Sequence, residues 1–272
     1  MPDLAILLPL ITVLLLVGAF AGLLAGLLGV GGGIVLVPAF YYLFSGMGFD
    51  SPALMRVCLA TSLATIIVTS TRSVLSHHKK GAVEWQILRQ WAPGIAVGAI
   101  VGVAVVAQLR TPTLQIIFGV LAFTIALYMA FGRLEWRLGS EMPGQWVRVV
   151  LSPLIGFFSV LMGIGGGSFG VPLMTLHGVP IHRAVATAAG FGITIALPSA
   201  VVFLAVPVDA APPFTIGAVN LPAFLIVISM TLITAPLGAS LAHRLNPKPL
   251  KRIFAAFLAV VATNMLVTAL LG

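Results

Sequence analysis

The sequence predicts an all-α polytopic membrane protein made of two inverted repeats, each with about five membrane segments. Of its 272 residues, 60% are hydrophobic and only 7% are charged, whereas a soluble domain carries about a quarter charged residues. In addition, the sequence GLLGVGGGIVLVP at positions 26–38 returns as VLMGIGGGSFGVP at positions 160–172. Composition therefore predicts the membrane class, and the repeated glycine-rich stretch predicts a duplication.

The duplication extends over nearly the whole chain. Six positions of the first half recur 134 residues later, namely Gly22, Gly29, Gly31, Gly32, Gly33 and Pro38, which match Gly156, Gly163, Gly165, Gly166, Gly167 and Pro172. Further on, Leu114, Ile117, Phe118 and Met129 match Leu250, Ile253, Phe254 and Met265 at an offset of 136. We therefore predict a first repeat at 1–136 and a second at 137–272, within one membrane domain.

Each repeat is predicted to contain four long helices and one short segment that follows the glycine break. Apolar runs of about 20 residues suit helices that cross a bilayer, and consecutive glycines disfavour continuation of a helix. The first repeat gives segments at 5–28, 33–46, 53–76, 86–108 and 113–132. The second repeat gives segments at 147–163, 168–178, 183–206, 221–243 and 250–271.

The two short segments, 33–46 and 168–178, decide the topology. If both cross the membrane, the chain has about ten membrane segments and inverted halves; if both re-enter, it has eight crossings and parallel halves. With eight crossings, seven of the fourteen Lys and Arg residues lie on each side of the membrane. With ten crossings, only Arg56 and Arg110 lie on one side and the other twelve lie on the opposite side. Those twelve are Arg72, Lys79, Lys80, Arg89, Arg133, Arg137, Arg148, Arg183, Arg244, Lys248, Lys251 and Arg252.

Because basic residues concentrate in cytoplasmic loops, the uneven division favours ten segments with both termini outside the cytoplasm. A positive-inside bias also explains the net charge of +8 better than nucleic-acid binding does, since the basic residues form no stripe or tail. The histidines of the basic loop, His77 and His78, are expected to be solvated.

The glycine triplets are candidates for binding an anion. Consecutive glycines allow backbone N–H groups to converge on one point, and the helix that restarts after them presents its positive end. Broken helices at matching positions of two repeats are typical of the central site of a transporter. The candidate donors are Gly31, Gly32 and Gly33 in the first half and Gly165, Gly166 and Gly167 in the second. The alternative is close helix packing, which we prefer for Gly22–Gly29.

A second repeated element places Arg56 and Arg183 before the pairs Ala60-Thr61 and Ala186-Thr187, with one residue deleted in the second copy. The side chains of Arg56, Arg183, Thr61, Ser62 and Thr187 are predicted to contact an anion. Alternatively, the arginines extend to the membrane surface, and the hydroxyls bond to carbonyls of their own helices.

Other functions lack the residues that they need. All six acidic residues fall in loops or at segment ends, so no buried carboxylate is expected to bind Na⁺ or carry protons. With one cysteine and no hydrolase, zinc-protease or ATP-binding motif, the sequence predicts no enzyme, no cofactor and no metal site.

The duplicated unit GxGGGxxxxP, found as GVGGGIVLVP and GIGGGSFGVP, together with ATSL and GAVNL, resembles the TauE/SafE family of bacterial sulfite and organosulfur exporters. The resemblance covers nearly the full chain. It implies transport of a small sulfur-containing anion, such as sulfite or an organosulfonate, outward across the bacterial inner membrane. A passive anion channel and a permease for a non-sulfur carboxylate remain alternatives, and the expected partners are a small anion and the lipid bilayer.

Overall fold

The computed structural model describes residues 4–29, 31–132, 136–242 and 247–271. Within these residues the chain forms ten helices and a two-stranded hairpin. The first five helices are α1 (Leu4–Leu28), α2 (Gly33–Gly46), α3 (Leu54–His78), α4 (Trp85–Val106) and α5 (Thr111–Phe131). The others are α6 (Gln145–Leu161), α7 (Gly167–Leu176), α8 (Ile181–Leu204), α9 (Leu221–Ala242) and α10 (Pro247–Leu271). Strands β1 (Thr215–Ile216) and β2 (Val219–Asn220) pair antiparallel just before α9.

The predicted helices are confirmed, with ends that agree within about three residues. Residue 243, the predicted end of the ninth segment, lies outside the described residues, as do Arg133 and Arg244 of the charge comparison. The sequence did not predict the hairpin, because two-residue strands are too short to produce an alternating pattern.

The chain is a polytopic membrane protein by the length and composition of its helices. Seven helices in the described part of the chain are long and apolar enough to cross a membrane, and α2, α6 and α7 are shorter apolar helices. Helix α3 is the most enclosed candidate span: 78% of its apolar 18-residue stretch is buried, whereas the corresponding share is 28% in both α9 and α10. Helix α3 therefore lies in the interior of the bundle.

Two helix pairs pack closely because glycines bring their backbones together. In the α1–α9 pair, a Cβ atom at Gly26 would lie 2.1 Å from the Ala235 carbonyl oxygen. In the α4–α6 pair, a Cβ atom at Gly98 would lie 1.8 Å from the Pro153 carbonyl oxygen. Close packing by Gly26, as the sequence predicted, is thus confirmed, and small residues commonly serve this purpose between membrane helices.

Hydrogen bonds show how the central helices run relative to one another. Near the start of α3, Thr61 accepts a bond from Asn220, which immediately precedes α9; near their ends, Lys80 donates to the Ala239 carbonyl at 3.3 Å. Helices α3 and α9 therefore run in the same direction. Helices α8 and α4 do so too, because Thr187 contacts Glu84 and Gly190 packs on Leu88 one turn further along both helices.

Candidate functional site

The two glycine breaks are non-helical and meet in the interior. Gly31 and Gly32 have φ of 75° and 79°, and Gly163 has φ of 60°, a left-handed conformation that favours glycine. A Cβ atom at Gly31 would lie 3.1 Å from the Cα atom of Gly165. Side chains at these positions would therefore separate the two breaks. We call this contact region the glycine junction.

Helix α3 also contacts the glycine junction. The Ser62 hydroxyl donates a 2.7 Å hydrogen bond to the Gly163 carbonyl oxygen. A Cβ atom at Gly33 would lie only 2.0 Å from that same oxygen. Gly33 and Ser62 of the first half thus both contact the break of the second half.

Several donors at the glycine junction have no acceptor among the described residues. The backbone N–H groups of Gly31, Gly32, Gly165 and Gly166 form no hydrogen bond with any described residue, although all four glycines are buried. The buried hydroxyl of Ser168, next to Gly167, also has no hydrogen-bond partner within the described chain. Leaving such groups unpaired costs about 1–3 kcal/mol each, so an anion that accepts hydrogen bonds here would offset that cost.

Two threonines connect the halves by matching bonds. Thr61 accepts a 2.9 Å bond from the backbone N–H of Asn220, and Thr187 accepts a 2.9 Å bond from that of Glu84. We call these contacts the Thr61 clasp and the Thr187 clasp. Both threonine side chains are fully buried. Each hydroxyl proton stays available for a further bond, because the oxygen acts as the acceptor in its clasp.

The two predicted arginines lie away from the glycine junction and bond differently. Arg183 is exposed and forms an ion pair with Glu84, whose side chain is 31% exposed. Arg56 is half-buried, and its Nε donates to the Leu109 carbonyl oxygen at 3.0 Å. The structure therefore brings the six glycines and Ser62 together at or beside the junction. It places Thr61 and Thr187 in the clasps, and neither arginine lies at the junction.

Three features escaped the sequence analysis. Ser168 lies within the second glycine motif, at the position where the first motif has Ile34. A hydroxyl inside an otherwise apolar repeat could have indicated that Ser168 belongs to the candidate site. The clasp partners Glu84 and Asn220 occupy matching positions of GAVEW and GAVNL, which could have indicated a shared role.

The third feature is the burial of His77, and the prediction that this side chain is solvated is wrong. Its side chain is only 1% exposed, and Nε2 lies 3.2 Å from the carbonyl oxygen of Gly26. Helix α3 extends to residue 78, two residues beyond its predicted end, and its last turn carries His77 against α1. His78 is exposed, as expected.

Across the described residues, no group of three or more histidine, cysteine, aspartate or glutamate side chains could hold a metal ion. The junction offers backbone N–H groups, and Ser168 carries a buried hydroxyl in the first turn of α7, next to Gly167. Such donors are suited to an oxyanion, which accepts hydrogen bonds at several oxygens.

Comparisons with known proteins place similar sequences among membrane transporters. The family model described as sulfite exporter TauE/SafE matches residues 14–265. A probable membrane transporter protein of Haemophilus influenzae is 35% identical, with 92% of this chain and 96% of that protein covered. A probable membrane transporter protein of Methanocaldococcus jannaschii is 26% identical, with 94% and 96% covered. No solved structure matches the chain significantly.

Proposed function

Because the chain belongs to the sulfite exporter TauE/SafE family, we propose that this membrane transporter exports small sulfur-containing oxyanions, such as sulfite or an organosulfonate, by alternating access. The observation that carries the proposal is the meeting of two glycine breaks whose N–H groups have no acceptor among the described residues. The binding site would consist of Gly31, Gly32, Gly33, Gly165, Gly166 and Gly167. Thr61 and Thr187 would add hydroxyl donors, and Ser168 joins this set. Ser62 would add a donor by exchanging its bond to the Gly163 carbonyl for one to the anion.

The topology that we propose has ten membrane segments in two inverted repeats, 1–136 and 137–272. If the short helices α2 and α7 complete crossings, α3 and α9 are the third and ninth segments and must run in the same direction. If α2 and α7 re-enter, α3 and α9 become the second and seventh crossings and must run in opposite directions. The contacts of Thr61 with Asn220 and of Lys80 with Ala239 support the first arrangement.

The other central pair supports the same topology. Helices α4 and α8 would be even-numbered segments in the ten-segment arrangement, but would be the third and sixth crossings in the alternative. Their parallel contacts, Thr187 with Glu84 and Gly190 with Leu88, favour ten segments. Combined with the positive-inside tendency, these contacts support our proposal that both termini lie outside the cytoplasm, in a protein of the inner membrane.

Alternating access would use the helix pairs that cross between repeats. Under the proposed duplication, α1 corresponds to α6 and α4 corresponds to α9. The α1–α9 and α6–α4 pairs are therefore equivalent, and each joins one helix of the first repeat to one of the second. Rocking of the two repeats would open the glycine junction to one side at a time. Arg56 and Arg183 lie toward the starts of α3 and α8, which face opposite sides in this topology, where each would attract anions.

The experiment is flux measurement in proteoliposomes of purified protein with sulfite, sulfoacetate, thiosulfate, sulfate and simple carboxylates. We expect saturable transport of at least one sulfur oxyanion. Gly32→Val and Gly166→Val should abolish it, because the added side chains would approach the Ala21 carbonyl at 2.7 Å and Phe191 Cβ, respectively. Ser168→Ala, which adds no atoms, should weaken transport by about tenfold through loss of one bond to a charged ligand.

The matched control is Gly46→Val, because a Cβ atom at Gly46 of α2 would meet nothing within 4 Å. Membrane levels of every variant are compared to separate misfolding from lost transport. Unchanged flux in Ser168→Ala and in both glycine variants would refute the binding site. Flux that rises linearly without saturation would indicate a channel, and transport of carboxylates alone would replace the substrate class.

A further inference from the structure

One side of α3 carries a line of polar residues through the interior of the protein. Ser62, Ser70, Ser73 and His77 fall within an arc of about 80° on the helix. All four side chains are at most 1% exposed. The line begins at Ser62 on the glycine junction and ends at His77, in the last turn of α3.

Two hydroxyls in this line form no hydrogen bond with the part of the chain that the structure describes. Ser70 Oγ and Ser73 Oγ are buried and unpartnered within the described residues. By contrast, Thr65 and Thr69 donate to carbonyls of their own helix at 2.6 and 2.8 Å. Such local bonds are the usual solution for a hydroxyl inside a membrane helix. Buried polar groups that lack a partner require an explanation, and a transient ligand or water molecules would supply one.

Of the two hydroxyls, that of Ser70 lies nearer the glycine junction, with Ile66 between them. The Ile66 side chain lies 3.1 Å from the position of a Cβ atom at Gly31, and 3.6 Å from that of a Cβ atom at Gly192 on α8. Ser70 Oγ follows on the same side, only 2.2 Å from the Gly192 Cβ position. The absence of a side chain at Gly192 therefore makes room for the Ser70 hydroxyl beside the junction.

The matching side of α8 is almost entirely apolar. The repeat offset of 126 pairs Ser62, Ile66, Ser70, Ser73 and His77 with Ala188, Gly192, Ala196, Ser199 and Phe203. The one hydroxyl among these, Ser199, donates to the Ile195 carbonyl at 2.7 Å. The α8 positions that match Ser62, Ser70 and His77 are therefore apolar, and the one that matches Ser73 keeps its hydroxyl bonded to its own helix.

We propose that the α3 line is the route by which a small oxyanion moves between the His77 end of α3 and the glycine junction. Ser70 and Ser73 donate hydrogen bonds to the oxygens of the anion or to the water that accompanies it. The exposed residues Lys79 and Lys80 beyond His77 attract the anion to this end. The corresponding side of α8 stays dry. This inference rests on the proposed function of anion transport.

The first test measures access with a small anionic thiol reagent, methanethiosulfonate ethylsulfonate, which shares its sulfonate with the proposed substrates. The sole native cysteine, Cys58, is buried and is replaced by alanine. Single cysteines are then placed at Ser70 and Ser73, with Ala196 and Ser199 as matched controls on α8. Because α3 and α8 run in opposite directions in the proposed topology, the reagent is applied to each face of the membrane in turn. We expect the α3 cysteines to react about tenfold faster or more, since charged reagents follow solvated paths, and only when the His77 end is exposed to the reagent. Equal rates on both helices, or no reaction at either α3 position, would overturn the route.

The second test measures flux in Ser70→Ala, Ser73→Ala and the double variant, with Ser199→Ala as control. Loss of hydroxyls that bond only to the moving anion should lower transport by about tenfold in the double variant. Thermal stability should stay unchanged or rise, because the substitutions remove unpaired buried polar groups. A double variant with wild-type flux would contradict the route, as would an equal loss in Ser199→Ala.

These measurements separate the two proposals. If the wild-type protein moves none of the oxyanions, the proposed function fails, while the labelling rates still report whether the α3 line is accessible. If the wild-type protein transports an oxyanion but the α3 and α8 cysteines react alike, only the route fails.

Discussion

The Thr61 clasp and the Thr187 clasp each contain the same kind of hydrogen bond, but the side chains beside that bond differ between them. In both, a buried threonine accepts a 2.9 Å bond from a backbone N–H of the other half. In the Thr187 clasp, Arg183 adds an ion pair with Glu84. In the Thr61 clasp, the Asn220 amide instead donates to the Pro213 carbonyl and the Thr215 hydroxyl, both at 3.0 Å.

The difference follows from one residue in the spacing. Arg183 precedes Thr187 by four residues and shares its side of α8, whereas Arg56 precedes Thr61 by five. One extra residue rotates a side chain by about 100° around a helix. Arg56 accordingly points elsewhere and donates to the Leu109 carbonyl. A backbone bond can thus persist in both halves while an insertion decides which side chains join it.

Exchanging the clasp side chains should reveal this difference most strongly. Asn220 is 3% exposed, so Asn220→Glu would bury a carboxylate against the Pro213 carbonyl, with Arg56 turned away. An uncompensated buried charge costs on the order of 3–5 kcal/mol. The reciprocal Glu84→Asn, at a half-buried position, should cost about 1 kcal/mol or less. Thermal unfolding in detergent measures both, and similar stabilities would mean that Arg56 reaches position 220.

Removing the shared bond should give intermediate effects that differ between the clasps. Thr61→Val leaves the buried N–H of Asn220 without an acceptor, which costs about 1–3 kcal/mol. Thr187→Val should fall at the lower end of that range, about 1 kcal/mol, because water can reach the half-buried Glu84. The control Thr124→Val removes only an exposed bond to its own helix. Chemical or thermal unfolding would contradict this ranking if Thr187→Val proved the more damaging variant.

The smallest structural effect is expected from the ion pair, but its consequence for transport should be measurable. Because the Arg183 side chain is 50% exposed, the coupling in a double-mutant cycle of Arg183→Gln and Glu84→Gln should be about 1 kcal/mol or less. If Arg183 attracts the anion, Arg183→Gln should raise the KM for substrate on its own face by about fivefold, while Glu84→Gln should lower it.

The matched control for that experiment is Arg56→Gln, which should raise the KM on the opposite face only. Flux is measured in vesicles of both orientations. An Arg183→Gln variant with wild-type KM on both faces would remove Arg183 from the substrate-attracting residues.

The sequence by itself determined the membrane class, the helix ends and the places where the helices break. Long apolar runs produce membrane helices in any packing arrangement, and left-handed glycines at Gly31, Gly32 and Gly163 interrupt helices locally. These features depend on neighbours along the chain, so composition and spacing were sufficient. For the same reason the candidate glycines and hydroxyls could be selected in advance.

Only the tertiary structure decided which distant residues meet. The contact of Gly31 with Gly165, the clasp partners of Thr61 and Thr187, and the burial of His77 against Gly26 all join segments far apart in the chain. Such contacts depend on how helices are rotated and aligned against one another, and a one-residue change rotates a side chain by about 100°. Hydrophobic periodicity is weak in helices that are apolar on every side, so that rotation was set by glycine packing and cross-repeat hydrogen bonds.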